Sequence, residues 1–230
     1  MNTTKRIFLI LNLLLLNQFH AQMKMELNID HKNKKANLTL INESNDDLII
    51  PIDTLSLRPY FDNICLDITE YTYKYPTLGL NIKLEQNNEI IESTATSGKI
   101  DDFNEAERDA KKLAKEKRKF ELLVETWQKK NNIKSFEDAK INYYVFNNLI
   151  RLKAGEKIQK EFYFDLHNIT NGKYMYYYYH IEDDKQYNVS FSFNIEDCIY
   201  TYLTTSQKEK LSGYKLFTGK IESNKIELKE

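Results

Sequence analysis

The sequence predicts a mainly β fold interrupted by one long amphipathic α-helix. Two observations carry that expectation. Apolar and polar residues alternate over most of residues 23–92 and again from 141 onward, the pattern of strands with one wet face. Between about 101 and 131 the spacing becomes three and four, as on one side of a helix. A third observation points the other way. Only 6 of the 230 residues are Gly and 3 are Pro, about 4 % where ~12 % is usual. A β protein needs turns, so the 23 Asn must supply them. Asn tolerates the left-handed backbone and hydrogen-bonds its own chain.

Composition narrows the function classes. The chain is 41 % hydrophobic and 29 % charged, with net charge −1. That balance excludes a collagen, a disordered tail, a polytopic membrane protein and a strongly basic nucleic-acid binder. Scarce glycine also excludes most loops that cradle phosphates.

The N-terminus reads as an export signal over residues 1–21. Lys5 and Arg6 give a basic start, and Ile7 to Leu16 is apolar except for Asn12. Phe19-His20-Ala21 then offers a small residue at the cleavage position. The run is short of the ~20 residues of a membrane span, although an uncleaved anchor is the alternative. Cleavage leaves a mature chain starting near Gln22, with 31 Lys and Arg against 34 Asp and Glu. No transmembrane segment is then expected, and the protein is placed in the periplasm or secreted. Near-neutral charge gives no long-range pull toward phosphates, and so none toward nucleic acid, or toward anionic lipid.

The strands follow in order. Met23, Met25, Leu27 and Ile29 alternate with polar residues, as do Ala36, Leu38 and Leu40, and later Leu80, Ile82 and Leu84. Turns fall at His31 to Asn33, Glu43 to Asp47 and Gln86 to Asn88. Pro51 inside Leu48 to Ile52 predicts an edge strand or bulge. The helical stripe is Phe103, Ala106, Ala110, Leu113, Phe120, Val124 and Trp127, with Asp102 as its cap. It reads either as a coiled-coil seam or, preferred here, as a helix docked on the protein's own sheet. A second helix is expected near Ser135 to Lys140. Strands resume from 141, with alternation at Ile158, Phe162, Phe164 and Leu166. Asn171-Gly172 predicts a hairpin. Tyr187 to Ile195, Ile199 to Leu203, Tyr214 to Phe217 and Ile221 to Leu228 complete the strands.

Two segments carry a resemblance. Asn37 to Ile50 reads N-L-T-L-I-N-E-S-N-D-D-L-I-I. Leu152 to Tyr176 contains L-K-A-G-E-K-I, then F-Y-F-D-L and G-K-Y-M-Y. Both resemble exported bacterial immunoglobulin-like β-sandwich domains. The resemblance implies one antiparallel sandwich over residues 22–230 with a helical insertion at about 101–140. It implies a fold and not an activity.

The tyrosine strand is the candidate binding feature. Lys173 to Ile181 is apolar on both faces. The resemblance turns Tyr174, Tyr176 and Tyr178 inward, which puts Tyr177 and Tyr179 on an outer face for a protein, peptide or glycan. Simple hydrophobicity prefers the opposite phase. Cover by the long helix is the plainer reading of that face. Cys65 and Cys198 are the only cysteines. They form either a bridge, which an exported protein can keep, or two buried thiols.

Familiar catalytic and metal signatures do not occur. No H-E-x-x-H, C-x-x-C, G-x-S-x-G, phosphate loop or dinucleotide fingerprint is present. No metal or cofactor is therefore expected. The sequence predicts an exported, non-catalytic binding module. Its rivals are a secreted enzyme, such as one acting on carbohydrate, whose carboxylates meet only in space, and an inhibitor-like sandwich acting through a loop.

Overall fold

A computed structural model describes residues 23–99, 102–170, 172–173 and 175–228. The export signal, Asn171 and Tyr174 lie outside the described residues. Most elements are strands, arranged in antiparallel and mixed sheets.

The first sheet joins β1 (Met23–Asp30), β2 (Lys35–Asn42) and β9 (Lys157–Tyr163), all antiparallel. Its alternation is as expected: Met23, Met25 and Leu27 are buried while Lys24, Glu26 and Asn28 are exposed. The turn after β1 closes through the Asp30 carboxylate, which accepts from Asn33 N and Nδ2 at 3.1 and 2.7 Å.

The second sheet has the order β13 (Gly219–Glu222), β11 (Tyr187–Ile195), β5 (Gly79–Gln86), β4 (Asp53–Pro59). β6 (Glu89–Ile90) adds to β5, and β14 (Ile226–Leu228) adds to β11. β4 runs parallel to β5. β5 and β6 turn on Asn87 and Asn88, with φ of 51° and 66°. That pair of positive angles is what a tight hairpin turn requires, met here by Asn instead of Gly. Phe191 of β11 meets Phe162 and Phe164, at ring distances of 6.4 and 6.1 Å, so the first and second sheets share a core.

The third sheet is β12 (Lys215–Leu216), β3 (Leu48–Pro51) and β8 (Leu149–Leu152). This corrects the edge-strand expectation for Pro51. β3 is central, and Pro51 is its last residue, beyond the two residues that pair with β12. The missing N–H therefore interrupts no ladder on that side.

One buried side chain ties two parts of the chain together. Asn42, 0 % exposed, donates from Nδ2 to the carbonyls of Asp46, Leu152 and Lys153 at 2.8–3.2 Å. Its Oδ1 accepts from Ser44 N and Oγ. Its backbone also pairs with Gly155 and Glu156. Segments 37–50 and 152–163 are thus joined where the second begins. Gly155 takes φ 73° there, which favours glycine.

The helices are α1 (Ile64–Thr69), α2 (Phe103–Asn131), α3 (Phe136–Asn147), α4 (Cys198–Thr201) and α5 (Thr205–Lys210). Asp102 caps α2 as expected, accepting from Asn104 N and Glu105 N. Asn132 ends it at φ 55°. Ser135 caps α3. α3 runs on through residues 141–147, where a strand was expected. Ile141, Tyr144 and Val145 are buried at helical spacing, so a short apolar run misled the period-two reading. Residues 198–201 are likewise helical, not extended.

The docking of α2 also differs. It packs on α3 and Tyr73, not over the tyrosine strand. Phe120 lies 4.7 Å from the Tyr73 ring and 5.8 Å from Tyr143. Trp127 lies 5.4 Å from Tyr143 and from Phe146, and donates from Nε1 to Asn142 Oδ1 at 2.6 Å. Trp127 is half-buried, and against a helix rather than a sheet. The cause lies in the stripe itself. Its large residues are Phe120, Val124 and Trp127, while its N-terminal half presents Ala106 and Ala110 with little area to bury.

No hairpin joins β9 to β10 (Met175–Tyr178), because β10 pairs with β7 (Thr94–Ser97). Instead the Asn168 side chain brackets Gly172, accepting from its N and donating to its carbonyl at 2.9 Å each. Cys65 and Cys198 form a disulfide between α1 and α4, with Cα atoms 5.8 Å apart. No described helix is long and apolar enough to cross a membrane.

Candidate functional site

The strongest surface site is built around a buried cation. Arg58, on β4, is 1 % exposed. Its Nη1 donates to Asp67 Oδ2 of α1 and to the Thr77 carbonyl, both at 2.5 Å. A charge removed from water persists only when paired in this way. Two aromatic rings flank the guanidinium: Cζ lies 5.8 Å from the Phe61 ring centre and 5.7 Å from Tyr75. Both are within cation–π range. Burial pushes the Tyr75 phenol up to about 12, although Arg58 pulls the other way.

Phe61 is 42 % exposed and forms one wall of a cleft of about 450 Å³. Tyr60, Asp62, Ile90, Ile91, Glu92 and Ser93 complete it. Tyr60 donates its hydroxyl to Asp62 Oδ2 at 2.5 Å, and Lys220 Nζ lies 3.3 Å from that hydroxyl. Burial and Asp62 raise the Tyr60 pKa, against the pull of Lys220, so the phenol keeps its proton. The cleft thus offers an exposed ring, an apolar Ile90 side chain and a rim of hydroxyl and carboxylate groups. Such a surface can stack on a sugar or a side chain and hydrogen-bond beside it.

The tyrosine strand contributes from beneath. Tyr177 is half-buried and touches Tyr75 edge-on at 6.4 Å, which links it to Arg58. Tyr179 is 0 % exposed and corrects the outward placement expected for it. Its hydroxyl donates to the Ile82 carbonyl at 2.6 Å and receives the Tyr60 N–H at 3.5 Å. Burial pushes that phenol up to about 12. Neither expected phase holds, because β10 is only four residues long and leaves its ribbon at Tyr179. Met175, 76 % exposed, marks the outer end.

Beside Phe61 lies a small cavity of about 10 Å³, lined in part by Arg58, Thr77 and Asn81. Arg58 Nε, Thr77 Oγ1 and Asn81 Oδ1 are buried without a partner among the described residues. A space of that size accommodates one water, which can accept from the guanidinium and donate to the amide.

A second pocket of about 280 Å³ is lined by His31, Asp165, His167 and Glu182 among others. Its chemistry is different. Burial alone would raise Asp165, but Lys34 at 2.6 Å, the His167 N–H and Tyr163 hold its pKa below the usual carboxylate range. Lys185 does the same to Glu182. A glycosidase acid needs the opposite shift, so this pair lacks a proton donor for that reaction. One group of three potential metal-ligand atoms exists among the described residues, on Cys65, Glu196 and Cys198. Its two sulfurs are joined in the disulfide.

Sequence reasoning missed Arg58, Phe61, Tyr60 and Tyr75. One signal was available: Arg58 is among only five arginines and lies between Leu57 and Pro59 in a segment that reads as a strand. Comparison of the chain with protein-family models and with curated proteins returns no match.

Proposed function

We propose that this protein is an exported, non-catalytic binding module on an immunoglobulin-like sandwich, and that its ligand-binding face is the Tyr60–Phe61 cleft. The carrying observation is Phe61: a large ring left exposed yet held in place over a buried, paired guanidinium. Exposed aromatics fixed by a rigid base lose little entropy on binding, which suits recognition of a glycan ring or an aromatic or proline side chain. The Asn42 junction and the Phe191 contacts between sheets support the sandwich reading.

The test is titration of the mature protein with a panel of neutral oligosaccharides and of extended peptides, beside Phe61→Ala. The expected result is binding to at least one probe, weakened about tenfold or more by Phe61→Ala, which corresponds to a stacking contact of roughly 1–2 kcal/mol. Binding that Phe61→Ala leaves unchanged overturns the placement, and turnover of any probe overturns the non-catalytic reading.

A further inference from the structure

We propose that the outward face of α2 is a second docking surface, one that seats the protein on a lipid bilayer bearing anionic headgroups. The near-neutral whole-chain charge conceals a segregated one. Between Arg108 and Lys119 seven cations stand against two acids. Both acids turn toward the protein body: Asp109 pairs with Lys173 at 2.7 Å, and Glu116 with Lys74 at 2.5 Å. The cations do not. Arg108, Lys111, Lys112, Lys115, Arg118 and Lys119 are all exposed. At 3.6 residues per turn they fall within about 120° of arc, along about 16 Å of helix.

Ion pairing along the helix only partly offsets this face. Lys111 pairs with Glu107, and Arg118 with Glu121 and Glu125, all in solvent where such contacts are weak. No described residue forms an ion pair with Arg108, Lys112, Lys115 or Lys119.

Apolar side chains decide the class of partner. Leu122, 47 % exposed, lies inside the same arc, and Leu123, 55 % exposed, lies at its border. Phe103, 81 % exposed, begins the helix about 60° outside that arc and is not part of the face. A soluble polyanion gains nothing from the leucines. A bilayer surface rewards both, with cations at the headgroups and leucines at the acyl boundary. The helix would lie on the surface, since it is too polar to cross.

The experiment is flotation of the mature chain with phosphatidylglycerol-containing vesicles and with pure phosphatidylcholine vesicles, at low and high salt. Binding is expected only to the anionic vesicles and is weakened by salt. A Lys112→Gln/Lys115→Gln/Lys119→Gln variant is expected to bind about a hundredfold more weakly, from roughly fivefold per lysine. Leu122→Ser/Leu123→Ser is expected to weaken binding at high salt, where the apolar contribution remains. Lys157→Gln/Lys160→Gln, on exposed positions of β9, serves as the control and is expected to bind normally. Trp127 fluorescence confirms the fold of each variant. Failure to float with anionic vesicles overturns the proposal. So does equal binding to polyphosphate with no effect of the leucine variant, which would assign the face to a soluble polyanion.

Discussion

Replacing Asn142 with Leu should undock the C-terminal half of α2. Asn142 is 0 % exposed and joins three elements. Its Oδ1 accepts from Trp127 Nε1 of α2 at 2.6 Å and from Gln207 Nε2 of α5 at 3.1 Å. Its Nδ2 donates to Gln207 Oε1 at 2.7 Å and to the Tyr202 carbonyl at 2.6 Å. Leu matches the volume but makes none of these bonds. Each lost bond removes about 1 kcal/mol net, and a stranded buried partner costs about 1–3 kcal/mol. Gln207 Nε2 is left without a partner in a side chain 2 % exposed, Oε1 keeps only the Thr204 N–H, and Trp127 and Tyr202 are half-buried and can partly turn to water. The expected loss is therefore about 3–4 kcal/mol. Gln207 also closes the capping box with Thr204, so α5 should loosen as well. Urea unfolding with the disulfide intact, followed by far-UV circular dichroism and by fluorescence of the single Trp, measures the change. The native emission should shift to the red as the indole gains water. Trp127→Phe, which removes one of the four bonds, should lose only about 1 kcal/mol. A loss below about 1 kcal/mol for Asn142→Leu, or an unchanged native emission, would refute the docking argument.

Two further outcomes follow from the same structure. Replacing both Cys65 and Cys198 by Ser opens a loop of 133 residues. Chain-entropy arithmetic puts the loss at up to about 5 kcal/mol, read as a lower urea midpoint that reductant no longer affects. Asp165→Asn tests the sign of a pKa shift. The folded pKa is lowered, so the carboxylate contributes stability above the unfolded value near ~3.9 and loses it as pH falls through the folded one. The variant should be less stable than the parent at pH 7, with the gap narrowing below about pH 4; a gap that widens in acid contradicts the assignment.

Much of the strand framework was legible along the chain, because a half-buried strand writes its own period. β1, β2, β5 and β11 fall where alternation put them. The caps of α2 and α3 were legible for a similar reason, since Asp102 and Ser135 act within three residues of themselves. Residues 141–147 were misread because a short apolar run satisfies helix and strand alike, and only cover from neighbouring elements separates them. The resemblance placed Tyr179 outward and simple hydrophobicity placed it inward, because a stripe of tyrosines has no polar face to choose between the phases. The burial of Tyr179 depends on the Ile82 carbonyl, 97 residues away.

The sequence by itself determined local matters: where strands alternate, where Asn turns replace Gly, and where the long helix starts and stops. Each depends on residues a few positions apart. Tertiary structure alone decided that Cys65 meets Cys198, that α2 docks on α3, and that Arg58 is buried beneath Phe61. Those outcomes rest on contacts between distant segments, whose energies depend on which groups are left paired once water is excluded. A residue-by-residue pattern holds no record of that pairing.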